Sequence, residues 1–363
     1  MTTTGPRFPP KRTSRRTSRA RRQALPLTVS LLAAGVLAAA CSSAGSSSGA
    51  SASSSGPAGS GPASTASLSS VTLHIGDQAG SGAQALLTAA GLINKLPFKA
   101  AWSDFTSGPP MLQAMGSGSV DIGAVGDAPP VFAAAGGEKI AVVAATVANP
   151  QAAAILVPRG SPVHSVAQLK GKTVAVAEGS SANYHLLAVL KQAGLTVKDV
   201  TINNLQPAQA LAAFASGHIA AWDIWSPFIE QAEVQHGARV LVNGAPIGKT
   251  FSFEVASRAA LGNPAKAAAI RVYLRLINEA HVWANTHQAT WAATWSRATG
   301  LPNAIMTKAA ADDTAAVAPI DPTVVSSEQS ISNAFSSAGL IPGHVDFANY
   351  AVSIFNSTDG ASS

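Results

Sequence analysis

After residue 70 the spacing of apolar positions switches repeatedly between a period of two and a period near 3.6. VTLHIG, from Val71, alternates as a strand and runs into the glycine-bearing turn GDQAGSG. The pattern predicts a helix over Ala83 to Leu92 and a strand over Phe98 to Trp102. Gly108-Pro109-Pro110 opens a helix that stops at Gly116 to Gly118, VDIGAVG is a short buried strand, DAPPVFAAAGG a helix and IAVVAATV a strand. A second unit follows. AAAILVPRGSP leaves the first unit as an extended run and SVAQLKGK is a short helix. TVAVAEGSSANYHLLAVLKQAGL reads as strand, turn and helix; VTINNL as a strand; QPAQALAAFASGH as a helix. IAAWDIWSPF is strand then turn, FIEQAEVQHGA a helix and RVLVNG a strand. From about Thr250 helices dominate: Ala265 to Asn285, Gln288 to Thr299 and Ser326 to Ala338. Such alternation predicts parallel sheets with right-handed crossovers, arranged as two α/β units around a cleft. Ligands of open α/β sheets sit beyond the carboxyl ends of the strands.

Composition adds a core and a leader. The chain has 363 residues, 47% hydrophobic and 12% charged, enough for more than one lobe. The net charge of +6 is misleading. Eight basic residues, from Arg7 to Arg22, have no acidic residue among them, so the body is acidic by two charges. A nucleic-acid footprint needs a basic patch on the folded domain, and none is expected here. The basic head and the apolar stretch Leu25 to Ala40 read as a signal peptide over 1–40. Arg15-Arg16 and Arg21-Arg22 fit either a twin-arginine route or plain leader charge. LAAAC places Cys41, the only cysteine, at the cleavage position, which resembles a bacterial lipobox with a lipidated thiol. Residues 41–70, nearly all Ser, Gly, Ala and Pro after the cysteine, predict a flexible tether.

FTSGPPMLQAMGSGSVDIGAVGDAPP crowds helix-starting signals into the stretch from Phe105 to Pro130. Helix N-termini offer free N–H groups and partial positive charge, which suits an anion. Thr106-Ser107-Gly108 precedes one such helix and Gly126-Asp127-Ala128 the next. In the second unit Gly179-Ser180-Ser181 precedes a third, with Asn183 in its first turn. Ordinary capping explains these residue types equally well; their position after strand ends points to a cleft. Asp127 would repel an anion, so it reads chiefly as a cap.

Three longer stretches carry a resemblance: FTSGPPMLQAMGSGSVDIGAVGDAPPVFAAAGG, AAAILVPRGSPVHSVAQLKGKTVAVAEGSSANYHLL and AAWDIWSPF. They resemble the substrate-binding proteins of ABC importers for aliphatic sulfonates, within a wider group that includes nitrate and taurine binders. The resemblance spans Val71 to about Phe347. It implies an α/β type II periplasmic-binding-protein fold, with lobe 1 at 71–157, lobe 2 at 158–247, a return to lobe 1 with C-terminal helices at 248–350, and a tail at 351–363. It also implies capture of a small organic anion and a permease and an ATPase as partners; with the lipobox-like LAAAC, the expectation is a monomer without cofactor or metal, anchored to the outer face of the membrane through Cys41. Trp222 and Trp225 become candidates for packing a ligand's alkyl tail, Trp225 in preference; core filling is the alternative. Gln78 becomes an amide donor or a plain turn residue. The chain departs from the resemblance at Asp77, where relatives carry an aromatic, and at Ala221 and Ser226, where they carry Asp; Asp223 is extra. Nitrate, taurine, an aromatic sulfonate and a thiamine-precursor pyrimidine remain alternative cargoes.

Enzymatic readings find little. The fold includes desulfinases with a cysteine nucleophile, whereas this body has no cysteine. No HxH, HExxH or cysteine cluster suggests a metal, and no GxGxxG follows a strand. His185 and His218 fall near cleft turns without an evident orienting acid.

Overall fold

The computed structural model describes residues 68–78 and 82–358. The expected signal peptide, Cys41 and all of the tether before Leu68 lie outside the described residues. Leu68, placed in the tether by composition, is 4% exposed and packs into the first core, so order starts slightly earlier than the strand pattern indicates.

Eleven strands are described: β1 Thr72–Gln78, β2 Lys99–Phe105, β3 Ile122–Gly126, β4 Ile140–Ala148, β5 Ala153–Val157, β6 Thr173–Val176, β7 Thr201–Asn204, β8 Ala221–Trp225, β9 Arg239–Asn243, β10 Thr250–Ser257 and β11 Ala316–Ala318. The helices are α1 Ala83–Ala89, α2 Gly108–Gly116, α3 Ala128–Ala135, α4 Ser181–Gln192, α5 Pro207–Ala215, α6 Phe228–His236, α7 Arg258–Gly262, α8 Pro264–Thr286, α9 Gln288–Thr299, α10 Asn303–Asp312 and α11 Pro322–Ser337. They build two sheets, ordered β11-β4-β10-β3-β1-β2 and β7-β6-β8-β5-β9. Each sheet is packed on both faces by helices, giving two apolar clusters per lobe.

The sheets are mixed rather than parallel. β10 runs antiparallel between β3 and β4, and β5 runs antiparallel to both β8 and β9. The boundary after residue 157 is corrected by the same pairings: β5 belongs to the second sheet, so the first crossover falls at 149–152. The return crossing occupies 244–249. The two crossings touch, because Gly244 N–H donates to the carbonyls of Pro150 and Ala153 at 3.0 Å. A Cβ on Gly244 would lie 2.5 Å from the Pro150 carbonyl oxygen, so only glycine permits that approach. This paired crossing is the covalent link between the two sheets.

Candidate functional site

The lobes face one another across the C-terminal ends of β1, β3, β6 and β8. A cavity of about 270 Å³ lies there, floored by the two crossings through Asn149, Pro150, Gly244 and Ile247. That volume suits a small solute. Three of the sequence-predicted bends reach it. Gly108 starts α2, Gly126 and Asp127 precede α3, and Ser180 and Ser181 start α4; all five line the cavity, as do Gln78 and Trp225.

The donors available are fewer than helix counting predicts. Pro109, Pro110, Pro129 and Pro130 occupy first-turn positions of α2 and α3, and proline has no N–H. Asp127 Oδ1 takes the Ala128 N–H at 2.7 Å. Ser180 Oγ donates to the Ala177 carbonyl at 2.6 Å and accepts from Asn183 N–H at 3.3 Å. The N–H groups of Gly108, Ser181 and Ala182 stay outside the helical ladders. Of these, Gly108 from the first lobe and Ser181 from the second line the cavity.

Several predicted residues do other work. Thr106 Oγ1 and Ser107 Oγ both donate to Gln206 Oε1 at 2.8 Å, tying the first lobe to the second beside the cavity rather than lining it. Ala128 is fully buried under Asp127, which corrects its reading as a ligand donor. Asn183 is 3% exposed and its Oδ1 accepts Gly179 N–H, so it shapes the bend. Trp222 is 0% exposed and packs against Phe214 and Phe228, in the core and away from the cavity. Trp225, half-buried and set edge-on to Phe228, remains at the wall. Gln78 Nε2 donates to the Ala124 carbonyl at 2.8 Å, which fixes its amide at the rim.

Asp127 spans the cleft. Its carboxyl is buried and interacts with the Ser181 hydroxyl of the opposite lobe. Desolvation pushes it up to about 6, against the hydrogen bonds from Ser181 and nearby N–H groups. The approach is tight: a Cβ on Gly126 would lie 2.0 Å from Ser181 Oγ. The lobes are therefore in direct contact here.

The sequence shows no orienting acid near His185; the structure supplies one. Its Nδ1 lies 2.9 and 2.8 Å from the two oxygens of Asp223, and both residues are buried. Burial pulls the imidazole down, yet the charge and hydrogen bond of Asp223 outweigh it and hold His185 above its ordinary value. His218, by contrast, is exposed and bonds to Ser216.

The deep wall escaped the sequence reading. Glu254 of β10, Trp295 of α9, His281 of α8, and Asp312 and Asp313 at the end of α10 line it together with Asp77. Asp77 is spent on capping: its oxygens accept N–H groups from Gln78, Ala83 and Gln84 at 2.9 to 3.0 Å. Glu254 is pushed to about 8, first by burial and then by Asp77. Asp313 rises to about 7 by burial, and His281 falls to about 4 for the same reason. No lysine or arginine lines the cavity among the described residues.

Comparison with known proteins places the chain in a family. Residues 107–247 match the NMT1/THI5-like family. An aliphatic-sulfonate-binding protein of Escherichia coli (strain K12) is 35% identical over 281 residues, 77% of this chain and 88% of that protein. The alkanesulfonate-binding protein of Xanthomonas axonopodis pv. citri, solved bound to MOPS, superposes with a TM-score of 0.74 at 34% identity, over 78% of this chain and 99% of its own. The periplasmic aliphatic-sulfonate-binding protein of Escherichia coli superposes with a TM-score of 0.68 at 35% identity, over 77% and 91%. A desulfurization enzyme shares the fold at 15% identity, with a TM-score of 0.58 over 79% and 98% of the two chains. The two-lobed α/β architecture is thus that of periplasmic binding proteins, and the chain belongs to the aliphatic-sulfonate-binding family.

Proposed function

We propose that this chain captures a short aliphatic sulfonate outside the cytoplasmic membrane and hands it to a permease driven by an ATPase. One observation carries the reading: helix-initiating bends from both lobes, at Gly108, Gly126 and Ser180-Ser181, line a single small cavity. A sulfonate is permanently charged and presents three acceptor oxygens. Peptide N–H groups at helix starts stabilise such a charge without a fixed cation. Trp225 offers an apolar surface beside them. The relatives named above point to the same solute class, and one of them was solved with MOPS, itself a sulfonate.

The chain binds and releases its solute unchanged. Its only cysteine is Cys41, so the folded body has no thiol for desulfinase chemistry. Export through the basic leader, lipidation of Cys41 and the small-residue tether would hold a monomer within reach of its transporter. Isothermal titration of purified protein tests the binding claim. Propanesulfonate and taurine, which share the sulfonate, give saturable binding, and propylammonium gives none. Equal affinity for propylammonium would overturn the reading.

A further inference from the structure

The cavity's titratable lining is mostly acidic; its basic groups among the described residues are His185, already paired with Asp223, and His281. Asp77, Asp127, Glu254, Asp312 and Asp313 face it, with no lysine or arginine among the described residues. An alkyl chain gains nothing from desolvated carboxyl groups, and a second anion is repelled by them. The acids make chemical sense if the far end of the ligand is a cation.

Glu254 is placed to meet it. On β10 it sits opposite Ala124 of β3 and Ala144 of β4, and both alanines line the cavity. Ser252, two residues earlier on the same face, pairs with Gly126 at the anion end. Two residues of antiparallel strand span about 7 Å, the scale of a short aminoalkanesulfonate. Glu254 is 7% exposed, and its Oε2 has no hydrogen-bond partner among the described residues. Neighbouring Asp77 cannot serve instead, because its oxygens are already committed to three N–H groups. A second unmet group lies on the same wall: Trp295 is 2% exposed, and its Nε1–H has no acceptor among the described residues. The recess is thus short of one donor and one acceptor, which a polar ligand end with its water supplies. His281, neutral at its low pKa, brings no competing cation, and the uncharged Tyr273 hydroxyl beside Glu254 interacts with it without forming a hydrogen bond to Oε2.

We propose that this site takes a zwitterion, an aminoalkanesulfonate whose ammonium group is bound by Glu254 while its sulfonate faces the helix starts at Gly108 and Ser181. The proposal rests on the sulfonate reading above. With its pKa raised to about 8, Glu254 is mostly protonated at neutral pH before a cation binds. Ammonium binding ionises it, and one proton passes to the buffer.

Calorimetry of the full-length protein with taurine and its isostere propanesulfonate, in two buffers of different ionisation enthalpy, tests this. Taurine binds roughly tenfold or more tighter, as expected for a hydrogen bond between charged groups. It releases close to one proton at pH 7, and propanesulfonate releases none. In Glu254→Gln the affinity ratio falls toward unity and the proton release vanishes. The wild-type comparison stands even if that variant fails to fold. Equal affinities, or preference for propanesulfonate, overturn the zwitterion while leaving the sulfonate reading intact. Binding of neither solute overturns both.

Discussion

Replacing Gly126 with alanine probes closure directly. The added Cβ would lie 2.0 Å from Ser181 Oγ and 3.1 Å from Ser181 Cβ, both across the cleft. Gly126 is not in the left-handed region, so backbone strain plays no part. The hydroxyl can rotate away, but only by giving up its interaction with the Asp127 carboxylate. A hydrogen bond to a charged group contributes about 1.5–3 kcal/mol. Asp127, raised to about 6, is mostly ionised at pH 7.5 and keeps most of that value. The Cβ contact persists after rotation, so the lobes must also part by a few tenths of an ångström. The closed state therefore loses about 1.5 kcal/mol or more, and sulfonate affinity falls roughly tenfold. The contact crosses between lobes, so unfolding of each lobe should be unchanged. Calorimetric titration measures the affinity and thermal unfolding supplies the control. Pairing Gly126→Ala with Ser181→Gly removes the obstruction and should recover part of the loss, in a double-mutant cycle. Affinity within twofold of wild type for Gly126→Ala would refute the claim that this contact belongs to the ligand-holding state.

Two further outcomes are expected. Gln206→Ala removes the acceptor shared by Thr106 and Ser107. At about 1 kcal/mol per bond it should open the unliganded protein, seen as a larger radius of gyration in solution scattering and a several-fold weaker affinity; an unchanged radius would count against the latch. Glu254 gives a pH signature. Its folded pKa, about 8, lies above the ordinary value of 4.5. The folded state therefore binds more protons between those values, and this group's stabilisation is full below the lower one and lost as pH rises through the higher. Denaturant midpoints should fall from pH 5 to pH 8 more steeply in wild type than in Glu254→Gln, by at most about 1.4 kcal/mol per pH unit. Equal slopes would remove the buried acid from the account.

The helix starts were legible because their cause is local. A proline pair after a serine or aspartate marks a first turn whatever surrounds it, and α2 and α3 begin where GPP and APP stand. The deep wall was not legible, since β10 takes its place by pairing with strands more than a hundred residues earlier. TFSFEVAS does alternate, with Phe251, Phe253 and Val255 on one face. Nothing local says that Glu254, on the other face, is buried. The true partner of Thr106 and Ser107 is invisible in the sequence because Gln206 lies 100 residues away from Thr106, in the other lobe. The tryptophans were separable in principle: Trp222 and Trp225 are three apart on β8, so a strand points them to opposite faces.

The position of β10 also orders events during synthesis. The second lobe is one continuous stretch, 153–243, and holds every strand of its own sheet as soon as it emerges. The first lobe is still missing the strand that separates β3 from β4, which is made only afterwards. Until then both strands present bare edges, the surfaces on which nascent chains stick to one another. The inserted half can thus mature ahead of the half that encloses it, and a chain cut short before residue 250 would leave one finished lobe beside an open sheet.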